Sequence, residues 1–417
     1  MLQYPKKLDI IFDKLLRLSI EPIIVGGYVR DYFLHKVSKD IDIELYGIAS
    51  YSELENILSE FGKVNSVGKS FGVCKLNAAN MQLDFSLPRR DSKITTGHTG
   101  FNIEVDQTLD FKTATSRRDF TINSVGYSIR RQKILDPFHG LNDLESKVLK
   151  AVDISKFSQD PLRVLRAVQF SARFDFNLDE ELFALCKKMI QHSVLHELPK
   201  ERIFEEFKKL FLKSQHPSKG LLLLKDLGAF DFFIELNTLT KSAFNQTLKS
   251  IDKMASLHIS NNKTNITLMF CVVCYQLEEK QISSFLDKFS KNKKFLKTIL
   301  LFIEYKDKIN LNSFSSYDVY KLATQLSIEN FCFFLSAIYV EKKDLQNVLK
   351  LRKLAKSVNV LEHPAKALLQ GKDLVSHGLE PSPKFSTLLN AAYEAQIQGK
   401  FSTHDAGLHY LEATLLA

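Results

Sequence analysis

Residues 23–47, IIVGGYVRDYFLHKVSKDIDIELYG, bring an apolar run, a Gly-Gly pair, an Arg-Asp pair and the alternating acids Asp40, Asp42 and Glu44 into one supersecondary unit. In a β-strand residues i and i+2 face the same way, so Asp40 and Asp42 project together while Ile41, Ile43 and Leu45 turn toward a core. The Gly26-Gly27 turn falls between a strand and a helix, where unhindered amides and a helix N-terminus can hold an anion. Two carboxylates on one strand face suit Mg²⁺, which keeps some waters and takes further ligands from substrate phosphates. Together these elements describe a metal–triphosphate site. Taken alone, the acids also fit a solvated strand face and the glycines a tight turn.

A second strand extends the pattern. MQLDFSLP, residues 81–88, alternates Met81, Leu83, Phe85 and Leu87 with Gln82, Asp84 and Ser86, so Asp84 faces the polar side and is a candidate third carboxylate. The polar face of an edge strand is the alternative. Two-metal phosphoryl transfer needs about that many acids.

The first ~140 residues have the texture of an α+β domain, with strands expected at 23–25, 41–45, 73–76, 81–87 and 122–127 between helical patterns such as YSELENILSEFG. From Asp160 onward the spacing is helical to the end. Residues 89–116 fit neither texture: Gly, Thr and charges surround at most one short strand, the signature of a functional or disordered loop beside the candidate site. No repeat or low-complexity tract interrupts the chain.

A chain of 417 residues corresponds to roughly two to four domains. Its 45% hydrophobic and 25% charged residues are ordinary for a water-soluble protein, and no apolar run reaches the ~18 residues of a membrane span. MLQYPKKLDIIFDKLLRL intersperses charge with apolar residues and reads as an amphipathic helix, not a signal peptide, so a cytoplasmic location is expected. The net charge of +9 favours a polyanionic partner without identifying it. Five cysteines at irregular spacing give no disulfide framework, and the lone pair Cys271 and Cys274 lies in the apolar stretch TLMFCVVCYQL, where a helix places both on one buried face; no zinc site is expected.

VGGYVRD with KDIDIE, then SRRDFTINSVGY, LDPFHGLNDLESKVL, DPLRVLRAVQFSARF and ERIFEEFKKL, resembles in order the motif series of class II tRNA nucleotidyltransferases and bacterial poly(A) polymerases. The resemblance covers about residues 20–210, and residues near 368–403 are similar to the C-terminal region of longer bacterial members. It implies a polymerase-β-like nucleotidyltransferase head (1–140), an all-helical neck with a base-reading motif (141–235), and a helical, tRNA-binding body and tail (236–417). The implied reaction is template-independent addition of C and A from CTP and ATP to the tRNA 3′ end; CC-only or A-only addition and poly(A) synthesis are the alternatives. No obligate protein partner and no membrane are implied.

Position by position, the resemblance makes Asp40 and Asp42 metal ligands and places Gly26, Gly27 and Arg30 near the triphosphate; with Asp84 from the strand alternation, Asp40 and Asp42 are the candidate catalytic residues and Mg²⁺ the candidate ion. Arg117, Arg118, Asp119 and Asn123 would contact phosphates and ribose, Asp160 and Arg163 would face the incoming base, and Arg166 and Arg202 would assist. On spacing alone, Asp160 can equally cap a helix with Pro161 at its first position and Arg163 as ion-pair partner, and the arginines can be surface ion pairs. Two departures stand out. Gln159 replaces the family's usual Glu, and TLMFCVVCYQLEEK lacks the His-Asp pair of relatives with a phosphohydrolase region. The dipeptide His404-Asp405 has no ligand set beside it, and no hydrolase activity is expected.

Overall fold

Strands form where the sequence alternates, and two of them set the site: β2 (Ile41–Tyr46) and β5 (Met81–Ser86) are parallel neighbours in register Asp42↔Asp84. The computed structural model describes the chain except residues 1, 39, 49, 66–71, 79–80, 94–100 and 416–417. Before β2 come α1 (Asp9–Arg17), β1 (Glu21–Val25) and α2 (Gly27–Phe33); between β2 and β5 come α3 (Tyr51–Ser59), β3 (Lys63–Asn65) and β4 (Val73–Ala78). With β8 (Gly126–Ser128) and β9 (Lys133–Leu135) they make a seven-stranded sheet in the order β3-β4-β5-β2-β1-β8-β9. Ile24, Ile43, Leu45, Leu83 and Phe85 bury one side of each strand in a core that Ile11, Phe12 and Leu15 of α1 complete. At roughly 1.5–3 kcal/mol per fully buried large apolar side chain, this alternation fixes the register, since a one-residue slip would turn those side chains outward.

Two expected features come out differently. Residues 89–116 hold an antiparallel pair, β6 (Arg89–Lys93) and β7 (Phe101–Val105), as a separate two-stranded sheet, followed by the short helix α4 (Phe111–Thr115). The tip of this expected loop, 94–100, lies outside the described residues. A ladder is built by backbone groups and needs no apolar alternation, so the pattern could not announce it. Asp110 caps α4 by accepting from Thr113 N at 2.8 Å, and Asp106 ties the hairpin exit through Arg90 Nε at 2.8 Å. The strand expected at 122–127 shrinks to Gly126–Ser128, because Thr121–Asn123 winds into a 3₁₀ turn. Asp119 Oδ1 accepts from both Phe120 N and Asn123 Nδ2, and such local side-chain bonds compete with a ladder.

Beyond β9 the chain is mainly helical: α5 (Gly140–Glu145), α6 (Ile154–Phe157), α7 (Leu162–Phe174), α8 (Glu180–Gln191) and α9 (Lys200–Lys213). In α9 the buried residues Ile203, Phe207, Leu210 and Phe211 recur at helical spacing, and Phe207 meets Phe233 and Phe289 edge-on at 5.2 and 4.7 Å. Residues Met1–Asn237 and Lys288–Ser290 form one unit; Thr238–Asp287 and Lys291–Ala417 form a second, helical one. In the second unit Cys271 and Cys274 are fully buried in the helix Asn262–Cys274, and burial pushes the Cys271 thiol up. His404 opens the helix His404–Tyr410 behind a Thr403 cap, with Nε2 3.1 Å from Asp373.

Candidate active site

β1 stops at Val25 and the chain turns at Gly26, with φ 68° and ψ −127°, before α2 begins at Gly27. This is glycine's region of backbone space. A Cβ added at Gly26 would lie 2.8 Å from Arg118 Nη1 and 3.8 Å from Asp42 Oδ2, so the turn is where a guanidinium and a carboxylate from distant segments meet. Gly26→Ala should therefore lower thermal stability by about 1–3 kcal/mol through backbone strain. By displacing Arg118 it should also weaken binding of a nucleoside triphosphate roughly tenfold or more, the weight of one charge-assisted hydrogen bond. Calorimetric titration checks this, and wild-type affinity would show that Arg118 does not act at that point.

Asp42 is partly buried on β2, and its in-register neighbour Asp84 is held by Lys75 Nζ at 2.8 Å from β4. Burial raises the Asp42 pKa; Asp84 and Asp40 push the same way, while Arg118 opposes them. Asp40 is exposed and sits immediately before β2. Among the described residues no group of three or more His, Cys, Asp or Glu side chains could hold a metal by itself. The donors present are hard carboxylate oxygens, which fit a divalent cation that completes its shell with water and phosphate oxygens.

Arg118 follows α4. Its Nε is buried without a hydrogen-bond partner, and burial lowers its pKa despite the opposing charges of Glu44 and Asp42. A buried guanidinium with unused donors beside a glycine turn is a seat for an anion. Arg117 Nη2 donates to the fully buried Glu44 at 3.2 Å, and Tyr46 Oη donates to the other Glu44 oxygen at 2.9 Å. Glu44 thus aims Arg117; its place two residues after Asp42 on the same strand face was the sequence signal for it.

Arg30 stays beside the turn, its Nη2 3.5 Å from a Cβ built at Gly27, and is also tied into a network. It is buried, donating through Nε and Nη2 to Asp31 Oδ1 at 2.8 and 2.6 Å and through Nη1 to Asn123 Oδ1 at 2.6 Å, with its guanidinium over Phe170 and Phe174. Asn123 Nδ2 donates to Asp119 at 2.9 Å, and Asp119 Oδ2 receives Arg166 through Nε at 2.7 Å and Nη2 at 2.5 Å. The chain Asp31–Arg30–Asn123–Asp119–Arg166 therefore joins α2 to α7. Burial alone would raise the Asp119 pKa, but Arg166 and Asn123 outweigh it and hold the carboxyl below its ordinary value. Asp119 and Asn123 are committed inside this network.

At the start of α7, Asp160 Oδ1 accepts from Leu162 N at 3.0 Å; the helix begins one residue later than expected, with Pro161 at the cap position, and Asp160 just outside it binds the first helical amide. Arg163 Nη2 donates to Arg117 O at 2.6 Å and Nη1 to Lys156 O at 3.1 Å, which ties the guanidinium to the Arg117–Arg118 segment. Arg202 stands exposed on α9. From that helix it is Glu206, buried and bound by Lys209 at 2.7 Å, whose charge reaches Arg166. Neither Glu206 nor Asp31 was distinguishable in sequence from an ordinary acid on a helix face.

Three family models match in succession: the poly A polymerase head domain over residues 23–150, a probable RNA- and SrmB-binding site of polymerase A over 175–238, and a putative tRNA nucleotidyltransferase domain 2 over 258–411. A CCA-adding enzyme of Lactococcus lactis subsp. lactis is 27% identical over 409 residues, 95% of this chain and 94% of that one. A multifunctional CCA protein of Neisseria meningitidis serogroup A is 32% identical over 221 residues, 53% of this chain and only 50% of that protein's length. Among solved structures, a CCA-adding enzyme in complex with CTP superimposes with TM-score 0.70 at 19% identity, covering 100% of this chain and 97% of that one. The Thermotoga maritima CCA-adding enzyme complexed with tRNA does so with TM-score 0.65 at 19% identity, covering 99% and 97%. At that identity the likeness is one of fold.

Proposed function

We infer that this chain, which belongs to the tRNA nucleotidyltransferase and poly(A) polymerase family, adds C and A nucleotides to the 3′ end of tRNA, drawing on CTP and ATP. In each step the 3′ hydroxyl of the RNA attacks the α-phosphorus of the nucleotide. A new P–O bond forms, the bond to pyrophosphate breaks, and the hydroxyl proton is lost to solvent. The observation that carries the reading is the convergence of Asp42, Arg118 and the Gly26 turn at one point in a chain that also matches models of a probable RNA-binding site and of a putative tRNA nucleotidyltransferase domain.

An enzyme of this fold family depends on a divalent cation, and Mg²⁺ is the ion proposed here. Held by Asp40 and Asp42, it would favour ionisation of the attacking hydroxyl and neutralise phosphate charge. Arg118, with Arg117 aimed by Glu44, holds the triphosphate against the amides of Gly26 and Gly27. Asp160 and Arg163 face the base, and Asp119, Asn123, Arg30 and Arg166 hold α2 and α7 in position. Arg202 acts at the rim, and Asp84 tunes Asp42 through its charge. The proposed divisions are a head at 1–140, a neck at 141–235 and a tRNA-binding body and tail at 236–417. Among the described residues no helix is long and apolar enough to cross a membrane. A cytoplasmic enzyme acting without an obligate protein partner is the proposal.

The test is extension by the purified enzyme of tRNA ending at the discriminator base, at C and at CC, with CTP, ATP or both. Correct completion of all three by one or more additions is the expected result. Extension limited to one acceptor would select a CC-adding or A-adding enzyme, and a homopolymeric A tail on any RNA would select poly(A) synthesis.

A further inference from the structure

The C-terminal helices enclose a small core of their own. Leu369, Leu374, Ala392, Ala395, Phe401 and Leu411 are buried together among the helices Gly371–Ser376, Lys384–Ile397 and His404–Tyr410 and the closing π-helical turn Leu411–Leu415. So small a core is marginal, and polar ties between its elements gain weight. Asp373 is the hub of those ties: Oδ2 accepts from Gln370 N at 2.7 Å, Oδ1 lies 3.1 Å from His404 Nε2, and its backbone oxygen lies 2.7 Å from His377 Nδ1. His377 is the C-cap of the helix Gly371–Ser376, and its Nε2 reaches Glu412 Oε1 of the closing turn at 2.9 Å. The two histidines make different demands on a proton. A neutral imidazole has one donor and one acceptor nitrogen, whereas an imidazolium has two donors. A carbonyl only accepts, so His377 Nδ1 carries hydrogen; an ionised carboxylate also only accepts, so Nε2 needs one too. Only the imidazolium makes both bonds. His404 can keep its bond to Asp373 when neutral, with hydrogen on Nε2, because its Nδ1 lies 3.7 Å from Asp405, beyond hydrogen-bond reach.

We propose that His377 is a proton-operated clasp: charged, it pins the closing turn Leu411–Leu415 to the helix Gly371–Ser376, and neutral, it lets the turn go. The surroundings favour the charged form. The bond to the Asp373 carbonyl, and after it Glu412, raise the His377 pKa above its ordinary 6.5 against a small desolvation, and a cation suits a helix C-terminus. No other element supplies a competing partner among the described residues. On the helix His404–Tyr410, His404 faces Asp373 and Asp405, and His409 Nδ1 turns to Asp405 O at 3.0 Å. On Lys384–Ile397, Glu394 is engaged by Tyr317 and lies 3.6 Å from Lys321. Lys372 acts on the Asp373 carboxylate. With a raised folded-state pKa, the clasp contributes fully below the unfolded-state value and is lost as pH rises through the folded one, so the turn is released as pH climbs above the ordinary histidine range. The clasp is independent of the reaction proposed above.

Full-length protein tests this by hydrogen exchange of the closing-turn amides at about pH 6 and about pH 9, each corrected for the intrinsic exchange rate, and by NMR titration of the histidine rings. The turn of the wild type should open about two- to fivefold more at the higher pH, the weight of one exposed ion pair. The helix Lys384–Ile397 should show no such contrast. His377→Gln should exchange at the faster level at both pH values, and Glu412→Gln should lower the His377 pKa and shrink the contrast. Equal protection of the wild-type turn at both pH values overturns the clasp. So does a contrast that survives His377→Gln, which would assign it to His404 or His409, and so does one spread equally over Lys384–Ile397, which would make it global. The ring titration needs no variant: a His377 that titrates at or below the ordinary histidine value in the wild type overturns the clasp even if His377→Gln fails to fold.

Discussion

Replacing Asp42 by Asn, or by Ala, should cut nucleotide addition ~10³-fold or more while leaving the protein at least as stable as the wild type in the absence of divalent cations. The first half follows from the several kcal/mol of charge stabilisation that a carboxylate-bound cation contributes to phosphoryl transfer. Asp40→Ala should be similarly inactive. The second half follows from linkage. The folded-state pKa of Asp42 is raised, chiefly by burial and then by Asp84 and Asp40, so ionising it costs folding free energy. Its stabilising contribution is complete below the unfolded-state pKa and is lost as pH rises through the folded value, so near neutrality the wild type carries a penalty that Asn removes. Asp119 has the opposite sign: its lowered pKa gives stability that is present above the unfolded value and lost as pH falls through the folded one. Melting curves at pH 7 check the pair of claims, with MgCl₂ raising the wild-type midpoint and leaving that of Asp42→Asn nearly unmoved. An Asp42→Asn enzyme with near-normal turnover would remove the acid pair from the mechanism.

Where sequence and structure agree, one physical pattern did two jobs. The alternation at 41–45 and 81–87 buries Ile43, Leu45, Leu83 and Phe85 and thereby turns Asp42 and Asp84 to the same side, so fold and site were legible together. The switch to helical spacing at Asp160 was legible for the same reason, since α7 and α9 bury stripes of 3.6-residue period. What could not be read are the partners of polar groups. Arg30 lies next to Asp31 in sequence, yet its second partner, Asn123, is 93 positions away, and that bond makes it a tie between elements. Glu44 shows the same limit: alternation gave its face, but only the fold supplies Arg117 across a separation of 73 residues. The 3₁₀ turn at Thr121–Asn123 was misread because Asp119 bonds locally where the apolar pattern alone favours a strand.

Removing the Arg163 side chain should cost more than its exposure implies, because the guanidinium has a double task. Its bonds to Arg117 O and Lys156 O anchor the segment that carries Arg118, and it is also the group proposed to face the base. Cytosine and adenine each present an exocyclic amino donor beside a ring-nitrogen acceptor. A carboxylate at Asp160 can accept from the first while Arg163 donates to the second. Guanine and uracil present a carbonyl beside a ring N–H, which would leave mispaired groups at ~1–3 kcal/mol each. Arg163→Ala should therefore reduce addition of C and A by roughly 10²-fold and narrow the preference over U and G by at least about tenfold. For Asp160 the cap must be separated from base reading, since its Oδ1 also accepts from Leu162 N. Asp160→Ala loses both and should melt lower by about 1 kcal/mol of stability; Asp160→Asn keeps a good cap but offers a donor that an exocyclic amino group repels. If Asp160→Asn, assayed below its melting temperature with all four nucleotides, keeps wild-type rates and selectivity while only Asp160→Ala loses stability, Asp160 is a cap and the base is read elsewhere.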